Sequence, residues 1–331
     1  MKAVLKSELN FKKTLTLISV LSAVFGIGLS LFGEFCLPLA AAALAVLYLY
    51  DIRSQKRLSL LISLAVVALN ATITVILGGY SAVLAIEAVL LALVINVCYR
   101  KNTSKAEAAL YATIIATVFL VLALAAIPII AERSVSLDVI KDFYTEIYES
   151  LKQAFVNMFT EMYKNLGEDY AAMNITTADL EAVFERAAYM LISVVVIVGF
   201  AIAGFSLKLF SACVTRLDAD TTRIVSWKFA MPALYAYFYM ALTIINLFTS
   251  SSTGVFALAM TNLYNIFLYV YAYVGIKLIY GHFSAKHNRF VVALIIAAIL
   301  SLSSSLAVQI FAMIGVFYSL YRSKIQRLNG D

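Results

Sequence analysis

From Leu58 to Leu77 the chain runs for 20 residues without a charged side chain. A helix of that length is about 30 Å long, the thickness of a bilayer's hydrocarbon core. The feature recurs: apolar runs cover 14–32, 35–50, 58–77, 80–98, 107–131, 187–213, 229–249, 254–280 and 289–321 of the 331 residues. In hydrocarbon every backbone N–H and C=O must be satisfied within the protein, so only helices and closed barrels span. Barrel strands read as short alternating segments, whereas these runs are continuous. Only 13% of the residues are charged, against about 25% in an ordinary soluble domain. The expected fold class is all-α, a polytopic membrane helix bundle.

The run 289–321 is too long for one ordinary span, and Ser301, Ser303, Ser304 and Ser305 interrupt it. Two short helices in a hairpin fit it better. Gly33-Glu34 divides the first two runs in the same way. The expected count is about 8–10 transmembrane helices, some of them short. The basic Lys2, Lys6, Lys12 and Lys13 precede a first run that is long for a signal peptide and lacks an A-x-A site, so an uncleaved first span is expected.

Charge then sets the orientation. With the amino terminus inside, 20 of the 25 basic residues fall in inner loops or tails, and the turns at 33–34, 78–79 and 250–253 hold none. The other five lie in 132–186 with eleven acidic residues. This follows the positive-inside rule, and it explains the basic pI without nucleic acid. It puts both termini in the cytoplasm and 132–186 outside a cell membrane. Three parts result: transmembrane helices in 1–131, an extracytoplasmic segment in 132–186, and transmembrane helices with a basic tail in 187–331.

Within the outer segment Leu137, Ile140, Tyr144, Ile147, Leu151, Phe155, Met158, Met162 and Leu166 recur at steps of three or four. This is one apolar helix face. Gly167 would cap that helix. A second helix would start near Thr177 and run on into the next span, with Asp179 and Glu181 in its first turn, where carboxylates suit the dipole. Asn174-Ile175-Thr176 matches a glycosylation acceptor only by its three residues. The segment reads either as an amphipathic helix on the membrane or bundle surface or as a lid or docking helix.

Catalytic patterns are missing. The sequence has no Walker A loop, G-x-S-x-G or H-E-x-x-H. Cys36, Cys98 and Cys213 are far apart, and His282 and His287 sit beside Lys286 and Arg289. Neither an enzyme nor a metal site nor a cofactor is expected.

What remains is a polar layer inside the runs. Glu87 lies eight residues past Gly79 and Asn70 eight before Gly78, so counting from the turn puts both about 12 Å below the outer end. Asn262 and Asn265 reach a similar depth in the run from Gly254 and share a helix face with Tyr269 and Tyr273. A carboxyl at mid-membrane costs about 2.5–3.5 kcal/mol on insertion scales, so it turns into the bundle or a wet cavity. Glu87, Asn70, Asn262, Asn265 and Tyr269 are therefore candidate binding residues for a small polar or cationic solute. The alternative is that a neutral Glu87 bonds Asn70 and the asparagines join helices.

The layout resembles the YybS-like family of bacterial membrane proteins. The resemblance rests on "SWKFAMPALYAYFY" (226–239), "TNLYNIFLYVYAYVGIKLIYG" (261–281) and "MIGVFYSLYRSK" (313–324). That family is similar in character to the substrate-binding (S) components of energy-coupling-factor transporters, which capture vitamins or metals and rely on separate ATPases. The likeness implies solute binding or transport. It also makes Ala41-x-x-x-Ala45 a docking pattern for a coupling subunit, although it lies on the second run rather than the first. A non-transporting scaffold or regulator that docks a partner through 132–186 is the other reading.

Overall fold

The computed structural model describes residues 2–54, 57–77, 79–165, 176–217, 231–249, 254–302 and 304–328. Gly78, Gly167, Asn174, Ile175, the turn at 250–253, Ser303 and the start of the 226–239 motif lie outside the described residues. The described secondary structure is helical: α1 Lys2–Phe32, a 3₁₀ turn Gly33–Phe35, α2 Leu37–Ser54, α3 Leu58–Leu77, α4 Ser81–Arg100, α5 Lys105–Glu132, α6 Leu137–Asn165, α7 Thr177–Tyr189, α8 Leu191–Leu217, α9 Ala233–Thr249, α10 Val255–Ser284, α11 Arg289–Leu302 and α12 Ser304–Leu328. Among the described residues seven helices are long and apolar enough to cross a membrane. Shorter apolar helices are Leu37–Tyr50, Ala233–Thr249 and Arg289–Ser301. This is the expected all-α membrane bundle; Ser303, where the last run is expected to turn, lies outside the described residues.

The chain forms two compact units, one of residues 1–185 and 198–229, the other of 186–197 and 230–331. In the first unit α2 packs along α4, with α1, α3 and α5 beside them. Ala41, Ala45, Ala85, Ala88 and Ala92 are all fully buried, and such small side chains allow close helix approach. Asn96 Nδ2 donates across this contact to the Ala45 carbonyl at 3.2 Å. Ala41-x-x-x-Ala45 is thus used in packing inside its own unit. The helices alternate in direction, so one end of the unit carries Arg57, Arg100 and Lys101. The far end carries the turns at Gly33 (φ +56°) and Gly79 (φ +93°), a backbone region that glycine enters without penalty.

A capping box starts α5: Glu107 N–H donates to Ser104 Oγ, and Ser104 N–H donates to Glu107 Oε2. Near its other end α5 contains Pro128. Proline has no N–H, so the carbonyl four residues earlier, that of Leu124, loses its helical donor. The Tyr144 hydroxyl of α6 takes that place, donating to the Leu124 oxygen at 2.6 Å. Burial pushes the Tyr144 phenol above its ordinary range, so it keeps its proton for this bond. Leu124 lies about 29 Å along α5 from Lys105, so α6 attaches where α5 has traversed one bilayer core. The α6–α7 pair has its own apolar contact: Phe184 packs on Tyr148 and Phe155, and Val156 and Leu180 are buried. Lys152 bridges Glu181 and Glu185 beside it.

In the second unit α10 packs along α12. A Cβ on Gly275 would strike the Phe311 carbonyl, and one on Gly315 the Tyr271 carbonyl. Both glycines let the backbones touch. Rings fill the contact between α9 and α10, with Tyr239 stacked on Tyr264 and tilted on Tyr271.

Candidate functional site

The α3–α4 hairpin is pinned near its turn. Ser81 Oγ donates to the Asn70 carbonyl at 3.2 Å, Ala82 N–H donates to Thr74 Oγ1 at 3.0 Å, and the two hydroxyls of Thr74 and Ser81 are 3.1 Å apart. These bonds place Asn70 close to the level of Ser81. Glu87 is six residues further along α4, about 9 Å deeper than Ser81. The two backbones are therefore not level, as counting from the turn had implied. Side chains on a helix lean towards its N-terminus. In an antiparallel pair that tilts Asn70 inwards and Glu87 outwards, so the two polar heads draw nearer in depth than their Cα atoms.

Asn70 is fully buried. Its Nδ2 donates to Gly26 O of α1 and Val66 O of α3, both at 2.9 Å. Two carbonyl acceptors on one side of the amide fix its orientation, because a flipped amide would oppose oxygen to oxygen. Asn70 Oδ1 is left buried with no hydrogen-bond partner among the described residues. The Glu87–Asn70 bond that a neutral carboxyl would allow is not made. Glu87 is 1% exposed, and its Oε1 also lacks a partner among the described residues. A buried polar atom without a partner costs roughly 1–3 kcal/mol, and such atoms in native folds mark strain, catalysis, or a bound water or ion.

Over residues 16–50 and 58–99 the first four helices supply no counter-charge. Residues 16–50 and 58–99 contain no Lys, Arg or His, and their acidic members are Glu34 and Glu87. Glu34 sits half-buried in the 3₁₀ turn, which lies against α4. The Tyr80 hydroxyl lies over the same turn, 3.9 Å from where a Gly33 Cβ would stand. Burial, and then the Glu34 carboxylate, push the Tyr80 phenol above its ordinary value. The sequence marks Glu34 only as part of a turn; its place against α4 depends on how α1, α2 and α4 pack.

Asn262 belongs to the second unit and behaves differently. The sequence expected one helix through the junction of α7 and α8, but the structure breaks it at Met190. The break exposes the Tyr189 carbonyl and the Ser193 N–H, and Asn262 takes both. Its Oδ1 accepts from Ser193 N–H at 3.1 Å, and its Nδ2 donates to Tyr189 O at 2.9 Å and Leu258 O at 3.0 Å. Asn262 thereby caps two helix ends at once. Asn265 is half-buried and Tyr269 is 46% exposed. Of the five candidates, Asn70 and Glu87 fall in the first unit, and Asn262, Asn265 and Tyr269 in the second. No group of three His, Cys, Asp or Glu side chains able to hold a metal occurs among the described residues.

No curated protein and no solved structure matches this chain. The family described as "Predicted membrane protein (DUF2232)" matches residues 14–317, nearly the whole length, and the chain belongs to that family.

Proposed function

We propose that this membrane protein binds a small polar or cationic solute inside its first unit, at a site centred on Glu87 and Asn70. One observation carries the reading: two fully buried side chains each present an oxygen that no described protein donor meets. The loop charges favour a cytoplasmic position for both termini and an outside position for 132–186. The far end of the hairpins, with Glu34 and Tyr80, would then face outward as the mouth of the site. The layout suits a binding component resembling the S components of energy-coupling-factor transporters, with the YybS-like likeness pointing the same way. Solute capture for transport, without a chemical reaction, is the activity this arrangement supports. Native mass spectrometry of gently extracted protein tests it. Wild type should retain a small bound mass that Glu87→Gln loses while remaining folded. Equal spectra for the two proteins would contradict the reading.

A second reading has its own observation. Ile147, Leu151, Met158 and Met162 of α6 are exposed apolar side chains at helical spacing. A scaffold or regulator would use that stripe to hold a partner, and the polar layer would then serve only packing. Removing the stripe would cost partner binding and leave solute binding untouched.

A further inference from the structure

Resting on the solute-binding reading, we infer that the ligand at Glu87 is a small monovalent inorganic cation held by protein oxygens, with Glu34 drawing it in from the turn above.

The unpartnered atoms of Glu87 and Asn70 are both acceptors. The donors of Asn70 are already committed to Gly26 O and Val66 O. A neutral solute such as a sugar or amino acid would need donors as well as acceptors. An anion would meet Glu87 with no basic residue anywhere in 16–50 or 58–99. A cation needs what is present: a carboxylate oxygen and an amide oxygen, both buried and without a described donor. These are hard oxygen ligands of the type that hold group 1 and group 2 ions.

Charge selects between those groups. Glu87 is the one buried carboxylate of the layer. A monovalent ion beside it makes a neutral pair. A divalent ion would leave one uncompensated charge in a low-dielectric interior, where isolated charge is heavily penalised. Burial points the same way: Glu87 and Asn70 are 1% and 0% exposed, too enclosed for a large organic cation. Glu34, half-buried in the turn that lies against α4, adds a second carboxylate at the turn end of the same hairpins. The competing occupant of the same oxygens is a proton.

Dicyclohexylcarbodiimide separates these occupants, because it labels a membrane-buried carboxyl only in its protonated form. The full chain is labelled at fixed pH and ionic strength in choline chloride, NaCl or KCl, and the adduct on Glu87 is read by peptide mass. The expected result is labelling in choline that slows about tenfold when Na⁺ or K⁺ reaches ten times its dissociation constant. Glu34→Gln should raise the half-protecting concentration several-fold, and Glu87→Gln should carry no adduct at this position. Labelling unchanged by either ion would make the occupant a proton and overturn the inference. If Glu87 takes no label under any condition, equilibrium binding of ²²Na⁺ and ⁸⁶Rb⁺ decides. One ion per chain, lost in Glu87→Gln, supports the inference, and no ion bound overturns it. An organic mass retained by wild type and lost in Glu87→Gln, with no protection by Na⁺ or K⁺, would leave the solute-binding reading standing and remove the inference alone.

Discussion

Two buried asparagines show how differently the two units use the same side chain. Asn262 meets one N–H and two carbonyls, two of these three groups freed by the break at Met190. Asn70 donates to two carbonyls and leaves its oxygen bare. Residue type and nominal depth were alike in the sequence, but their partners separate a residue that joins helix ends from one that offers an acceptor. In the second unit Asn262, Gly275 and Gly315 close helix contacts, although the buried Tyr271 hydroxyl there also lacks a partner among the described residues. In the first, Glu87 and Asn70 leave the structure chemically open.

The largest expected effect tests closure in the second unit. Gly275→Val should destabilise the protein by about 3 kcal/mol or more, above the usual range for overpacking, because the obstructing atom is a backbone carbonyl. Gly204→Ala, with no neighbour within 4 Å of its Cβ position, should be near neutral. Thermal melting in detergent reads both.

The asparagines come next. Asn262→Leu should cost about 2–4 kcal/mol, because it strands the Ser193 N–H and the Tyr189 carbonyl. Asn70→Leu should cost about 1 kcal/mol or less, because it also removes an unpaired acceptor and interhelical bonds in membranes average about 0.6 kcal/mol. Equal losses in chemical denaturation would erase the distinction between the two.

A smaller effect concerns the helix outside the core. Tyr144→Phe should cost about 1 kcal/mol and raise hydrogen exchange in α6. With Pro128→Ala in place the Leu124 carbonyl regains its helical donor, and Tyr144→Phe should then be near neutral. A double-mutant cycle showing no coupling would contradict the tether.

The smallest effect is electrostatic. Hydrogen bonding to Glu181, then its charge and the Glu185 contacts, hold Lys152 above its ordinary value against a lesser opposing effect of burial. A raised lysine stabilises the fold fully below its unfolded value and loses that contribution as pH rises through the folded one. The Lys152 contribution to the α6–α7 contact should therefore be constant between pH 7 and 9 and fade only above the normal lysine range, about 10.4. Hydrogen exchange of α7 against pH, with Lys152→Met as reference, checks it.

Much of the fold was legible because the bilayer writes its thickness into the sequence. The run 58–77 is the helix Leu58–Leu77. The break at Met190 was not legible, because neither glycine nor proline stands between Tyr189 and Leu191 and a distant asparagine stabilises it. The candidate layer was legible by residue type alone. Counting from a turn gave Glu87 and Asn70 equal depth, whereas the Ser81–Asn70 bond sets the true register. The tether at Leu124 joins two helices: Pro128 announces a free carbonyl, but the sequence does not say that Tyr144 reaches it.

The central claim is that Glu87 serves a ligand and not the packing. Its most direct test is the melting of Glu87→Gln beside wild type and Asn262→Leu, in one detergent without added solute. The account predicts that Glu87→Gln melts at or above wild type while Asn262→Leu melts well below it. A loss for Glu87→Gln as large as that for Asn262→Leu would show that the carboxyl holds the helices together, and would contradict the account.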